Sequence, residues 1–501
     1  MRITSRQRTT VGAALLCGLL AACGGGTSGT TAGPKGAPAA AITVATNQQL
    51  TSLDGILQNS VPINNTIYDP LVHINGDGTI APGLATAWTS DATGTSWTFT
   101  LREGATFSDG TPFTGNDVVW TYEKVKAEKT SRNNSYLTNL AGLTTTGNQV
   151  VFTLSKPFAA WPRQTSLIPI ISAAAYQKPG ADFAAKPVGT GPYRVTSFTP
   201  GQSLVLEANP TYWGPPPAIK KVTQQQIDTE TTRLTGLQSG SVDVTTLSPA
   251  TVETARSSSQ LTVQSVPSNL VTYVGFNPAT PSTSSVALRQ AVSAAIDREA
   301  IAKTLLRGAA TPIGQLLAPS VFGSDPSVKA PVFDRAKART LVSQSGYDGS
   351  PIPFSYPNGP AVPQADQVAQ AIQGYLKEVG ITVTLQGQPQ ATFLQDWFAK
   401  RLTGMWLFSI QPSTLDADLV FNLTCVATNT FTDPTIAEAY VAQAAQPDEA
   451  QRRATLRRIT DRINDQVYFT PLINAENEYV SGQKVTVPAR ADGHLLPQEM
   501  S

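Results

Sequence analysis

Residues 96–101 alternate: Trp97, Phe99 and Leu101 stand between Thr98 and Thr100, the two-residue period of a half-buried strand. Ser108, Asp109 and Gly110 then spell a turn, because Asp hydrogen-bonds nearby backbone and Gly tolerates positive φ. The pattern switches to helical spacing at Val118, Val119 and Tyr122. Thr114 stands where a cap should, with Asp117 three residues on near the positive end of the helix dipole. The same reading predicts strands at 42–45, 150–154, 203–209, 381–385 and 405–410. It predicts helices at 288–301, 334–346 and 368–380, the last closed by Gly380. Strands and helices alternate, as in an α/β fold.

The N-terminus has a different pattern. Arg2, Arg6 and Arg8 precede an apolar run from Val11 to Ala22, which at 12 residues is too short for a bilayer. It fits a secretory signal. Residues 20–23 read LAAC and resemble a bacterial lipobox, which implies cleavage before Cys23 and lipidation of its thiol. An ordinary secretory signal with an incidental Cys is the alternative. Residues 23–41 are rich in Gly, Thr and Ala and read as a flexible tether of roughly 23 Å.

The full chain of 501 residues carries a net charge of +1, and signal removal takes three Arg and no acid. That balance gives nucleic acid no basic patch. Of Cys17, Cys23 and Cys425, only Cys425 would remain free in the mature chain, so no disulfide is expected there. Cys425 reads as a small buried hydrophobe. The histidines, His73 and His494, have no neighbouring ligands spaced for zinc and read as surface or turn residues. There is no nucleophile elbow and no phosphate-binding loop. No catalytic residue, metal site or cofactor is expected.

Taken in order, YDPL (68–71), APGLA (81–85), LREG (101–104), FSDGTP (107–112) and NDV (116–118) resemble the family 5 extracellular solute-binding proteins, receptors of ABC importers. GTGPY (189–193), NPTYW (209–213), GSVD (240–243) and YVGFN (273–277) continue the resemblance, which spans about 42–482. It implies a two-lobed clamshell of the periplasmic-binding-protein type II with an additional inserted α/β domain. The expected first lobe is 42–72, 186–265 and 475–501, the insert 73–185 and the second lobe 266–474. The glycines at 189 and 191 would permit a sharp bend back into the first lobe.

The resemblance also implies a site. Peptide-binding members carry an Asp after the strand that matches 405–410, and it pairs with the peptide ammonium. Residues 416–421, DADLVF, resemble the dipeptide-type string, which makes Asp416 the candidate amine ligand. A helix-capping carboxylate with no ligand is the other reading of Asp416. Trp406, Phe408 and Tyr356 are candidate stacking surfaces, although aromatic residues on strands commonly pack in cores. The stretch 354–363 holds no Arg or Lys to clamp a carboxylate, and Ser413 replaces the oligopeptide-type Asp. The expected protein is a monomeric, membrane-anchored receptor outside the cytoplasmic membrane. It would take peptides longer than dipeptides and pass them to a permease by hinge closure. Haem, sugar, opine or metal-chelate transport, a sensory or scaffolding lipoprotein, and an exported hydrolase are the rivals.

Overall fold

The computed structural model describes residues 40–178 and 180–501. Cys23, the signal and the tether up to residue 39 lie outside them. One eleven-stranded sheet runs through most of the fold. Its first part lines up Tyr193–Thr199, Ser203–Ala208, Lys221–Gln226, Ala41–Thr46 and Val244–Leu247. Its second part holds Met405–Ile410, Ile352–Asn358 and Val383–Pro389. Two long strands, Leu261–Phe276 and Phe469–Gly482, join the parts.

These two strands pair with each other antiparallel over most of their length, but the register slips between Pro267 and Val271. Proline has no N–H to give a ladder. Side chains take over where the ladder fails. Asn474 donates to the carbonyls of Ser268 and Leu270, at 2.8 and 2.9 Å. Asn269 donates to the Pro412 carbonyl at 3.1 Å and accepts from Gln411 at 2.8 Å. Before the slip, 261–267 pairs with 476–482; after it, 271–275 pairs with 469–474 and 271–276 with Met405–Ile410. The sequence boundaries at 265/266 and 474/475 therefore fall inside two continuous strands.

A separate four-stranded antiparallel sheet lies within 85–154, built from Ala85–Ser90, Ser96–Leu101, Gln149–Leu154 and Leu140–Thr146. Phe99 and Phe152 meet edge to face at 5.3 Å across it, and Tyr122 lies 4.9 Å from Phe152. Tyr122 comes from the helix Gly115–Ala127, where Asp117 accepts from the Thr114 amide at 2.9 Å and closes the capping box. This body and the first part of the large sheet share one apolar core. The second part has its own.

Two readings are corrected. The helix expected over 288–301 stops at Ala295, and a new turn starts at Asp297, whose side chain accepts from the Ala300 amide at 2.9 Å. Arg298 turns inward there and donates to the carbonyls of Pro471 and Ser293, at 2.8 and 3.0 Å. The glycines of GTGPY act by close approach rather than by unusual dihedrals, since neither has positive φ. A Cβ on Gly189 would stand 2.2 Å from the Ile67 carbonyl oxygen, and one on Gly191 2.5 Å from its carbon.

Candidate functional site

The strand Met405–Ile410 ends in a loop that Leu415 turns with φ of 48°, and this delivers Asp416 into the interior. Asp416 is fully buried. It caps the short helix Ala417–Phe421 by accepting from the Asp418 amide at 2.8 Å. Arg452 grips it with two parallel bonds, 2.8 Å to Oδ2 and 2.6 Å to Oδ1. Arg163, from the helix Trp161–Thr165, adds an ion pair at 3.5 Å and donates to the Gly78 carbonyl at 2.6 Å. The Phe322 ring lies under both guanidiniums, 4.9 and 5.2 Å from their centres. Burial acts to raise the Asp416 pKa. The Arg452 charge and hydrogen bonds, with the Arg163 charge, outweigh it and leave the pKa lowered.

In this arrangement Asp416 offers no free oxygen to an ammonium. It takes the capping role that the sequence left open, and adds an ion pair between the helix Trp161–Thr165 and the second part of the fold. Sequence reasoning missed both arginines. The signal was there for Arg452, which shares the buried face of the helix Glu449–Gln466 with Leu456, Ile459 and Ile463. An arginine on an apolar stripe needs a buried partner.

The three aromatic candidates are core. Trp406 is 2% exposed, its ring so close to Gly275 that a Cβ there would come within 2.3 Å. Phe408 nests among Tyr273, Phe393 and Trp397, at 6.4, 5.3 and 4.9 Å. Tyr356 is buried, and burial followed by its hydrogen bond to Asp366 raises its pKa. Trp406 and Phe408 stand on a strand covered on both faces, which leaves their rings no open side for a solute.

Open space lies elsewhere. Strands Ala41–Thr46 and Lys221–Gln226 run parallel, and a cavity of about 330 Å³ opens at their carboxyl ends. Such ends are where α/β sheets commonly bind ligands. Thr46, Asn47, Gln48, Asn59, Gln224 and His494 supply its polar lining, and no Lys, Arg, Asp or Glu takes part. His494 is held from behind by Asp492, which accepts from its backbone amide at 3.0 Å and lies 3.2 Å from its ring. His73 is elsewhere, 3.2 Å from Asp69. Among the described residues no group of three His, Cys, Asp or Glu side chains could hold a metal ion, and no helix is long and apolar enough to cross a membrane.

The profile of bacterial extracellular solute-binding proteins, family 5 Middle, matches residues 79–432. The chain is 30% identical over 445 residues to Protein XP55 of Streptomyces lividans, covering 83% of this chain and 80% of that protein. It is 27% identical over 476 residues to the nickel-binding periplasmic protein of Escherichia coli, covering 86% and 87%. A periplasmic binding protein of Helicobacter pylori, solved with the peptide STSA, shares the fold at a TM-score of 0.71 and 21% identity, covering 92% of this chain and 97% of that one. The chain belongs to the bacterial extracellular solute-binding proteins, family 5, a transport family of two-lobed α/β clamshells that bind a solute and carry out no reaction on it.

Proposed function

We propose that this substrate-binding component of an ABC importer takes a peptide longer than two residues in the polar cavity at the carboxyl ends of the parallel strands. The observation that carries the reading is the lining of neutral amides and hydroxyls with no charged partner. Peptide N–H and C=O groups match such a lining. A dipeptide is dominated by its charged termini, and these would lose water without gaining a counter-charge. The Helicobacter pylori relative solved with a peptide points the same way. Nickel is named for the Escherichia coli relative, and in this cavity His494 is the one imidazole in the lining. Closure is a rotation about the register slip at 268–270, driven by the ligand's preference for the closed form.

Isothermal titration of one tetrapeptide in free, N-acetylated and C-amidated forms tests this. All three are expected to bind within about threefold of each other, since neither terminus has a charged partner in the cavity. Asn47→Ala or Gln48→Ala is expected to weaken each by roughly three- to tenfold, the worth of a hydrogen bond. A large loss on acetylation would return the role of amine ligand to Asp416. Binding of nickel alone, with no peptide bound, would overturn the reading.

Membrane anchoring through Cys23 is part of the same proposal and rests on the lipobox-like LAAC string. Each acyl CH₂ buried in lipid is worth about 0.8 kcal/mol. Cys23→Ala is therefore expected to shift the protein from the membrane fraction to the medium or soluble extract. Unchanged partitioning of the variant would rule out the anchor.

A further inference from the structure

The insert and the second part of the fold line another, partly open cavity, of about 470 Å³, that the peptide reading does not use. Tyr136 and Phe158 come from one side, Leu419 and Tyr440 from the other. The two sides are tied there by the Ala159 amide, which donates to the Ala444 carbonyl at 2.8 Å. The volume falls in the usual range for small-molecule sites, about 300–1,000 Å³.

Two charged groups line this apolar space, Asp418 and Lys156. Asp418 is half-buried, and its Oδ1 accepts from the neutral Gln443 amide at 2.6 Å. Among the described residues it has no ion-pair partner within 4 Å. Arg452, the cation nearest in the network, is committed to Asp416 and to the Gln443 oxygen. Burial first, and then the Asp416 charge, raise the Asp418 pKa against the pull of Arg452, Gln443 and Tyr440. A carboxylate so placed gains from a cation that enters with its own apolar cover. Lys156 is exposed and, among the described residues, also without an ion pair within 4 Å.

We propose that this cavity binds a small zwitterion with an apolar body, of the class of an aromatic α-amino acid. The ammonium sits on Asp418, the carboxylate faces Lys156, and the ring lies among Tyr136, Phe158 and Leu419. Because the walls come from two bodies, the bound molecule holds the insert against the second part of the fold, by the same linkage that couples any ligand to the state it prefers. The proposal does not rest on the peptide reading, since it uses other residues and a different cavity.

Calorimetry on the mature protein with L-phenylalanine, N-acetyl-L-phenylalanine and phenethylamine tests it. Phenylalanine is expected to bind. Acetylation removes the ammonium and strands the Asp418 carboxylate beneath the ligand that covers it, so affinity is expected to fall at least about 30-fold. Phenethylamine lacks only the partner of the exposed Lys156 and is expected to lose up to about fivefold. Asp418→Asn should reproduce the acetylation loss. Since Asp418 also lies in a capped helix, a second variant guards against misfolding. Val441 is 71% exposed at the cavity wall, and Val441→Trp is expected to fill the space and abolish binding with an unchanged melting temperature. Equal affinity for phenylalanine and its acetyl form would overturn the proposal. So would no phenylalanine binding by the unmodified protein, or full binding by the folded Val441→Trp variant.

Discussion

Asp416→Ala is expected to cost about 3–5 kcal/mol of folding stability, because it leaves two buried guanidiniums facing each other without their counter-charge. Arg452 and Arg163 are both buried, and the remaining acid nearby, Asp418, has its own desolvation to meet. The loss concerns the stranded partners more than the pair itself. Arg452→Met combined with Asp416→Ala should therefore cost less than the sum of the single changes, a coupling that a double-mutant cycle in urea measures directly. Additive costs would show that the buried pair is not energetically coupled. The pH dependence has a definite sign. The folded Asp416 pKa is lowered, so its contribution is fully present above the unfolded value of about 3.9. It is lost as pH falls through the folded pKa. Asp416→Asn should flatten that part of the acid limb, and an unchanged limb would mean that Asp416 is not ionised in the folded protein.

The elements that local pattern decides were legible. The alternation at Trp97, Phe99 and Leu101 gives the strand Ser96–Leu101, and Thr114 with Asp117 closes the cap of the next helix. Gly380, expected to close a helix, has φ of 88° just after the helix Ala365–Glu378. The break at Ile296 was hidden because apolar residues keep helical spacing through it. What ends the helix is Arg298, reaching carbonyls as distant in sequence as Pro471. The site was legible only in part. The position of Asp416 after the strand Met405–Ile410 could be read from the string. Its partners come from positions 163 and 452, and no local spacing brings them together. The aromatic residues of that strand were ambiguous because a stacking ring and a core ring look alike until both faces of the strand are seen. The polar cavity gathers segments near 47, 59, 224 and 494, which only the sheet order assembles.

Arg490→Ala is the second change expected to be severe, again about 3–5 kcal/mol, and it also tests where the solute binds. Arg490 is 2% exposed. It donates to Asp492 at 3.0 and 2.5 Å, to Glu499 at 2.7 Å and to the Ile74 carbonyl at 3.0 Å. Its own carbonyl accepts from the Tyr479 hydroxyl at 2.7 Å. The side chain thus ties the C-terminal segment to the strand Val72–Ile74, while the backbone carbonyl of the same residue holds the strand Phe469–Gly482. Burial acts to raise the Asp492 pKa, but hydrogen bonds from His494 and Arg490 and the Arg490 charge outweigh it and hold the carboxyl well below its ordinary range. The stability gap between the unmodified protein and Arg490→Ala should be widest above about pH 4 and narrow as pH falls toward the folded Asp492 pKa. Urea titrations at several pH values read this, and a gap that grows in acid would contradict it. Arg490→Lys keeps the charge but not the forked geometry, and should recover only part of the loss. The consequence for binding runs through Asp492, which holds His494 at the wall of the polar cavity. If that cavity takes the peptide, the folded fraction of Arg490→Ala should bind it more weakly, because a misplaced wall loses its hydrogen bonds. Peptide affinity equal to that of the unmodified protein, in a variant that has lost the expected stability, would place the solute away from His494.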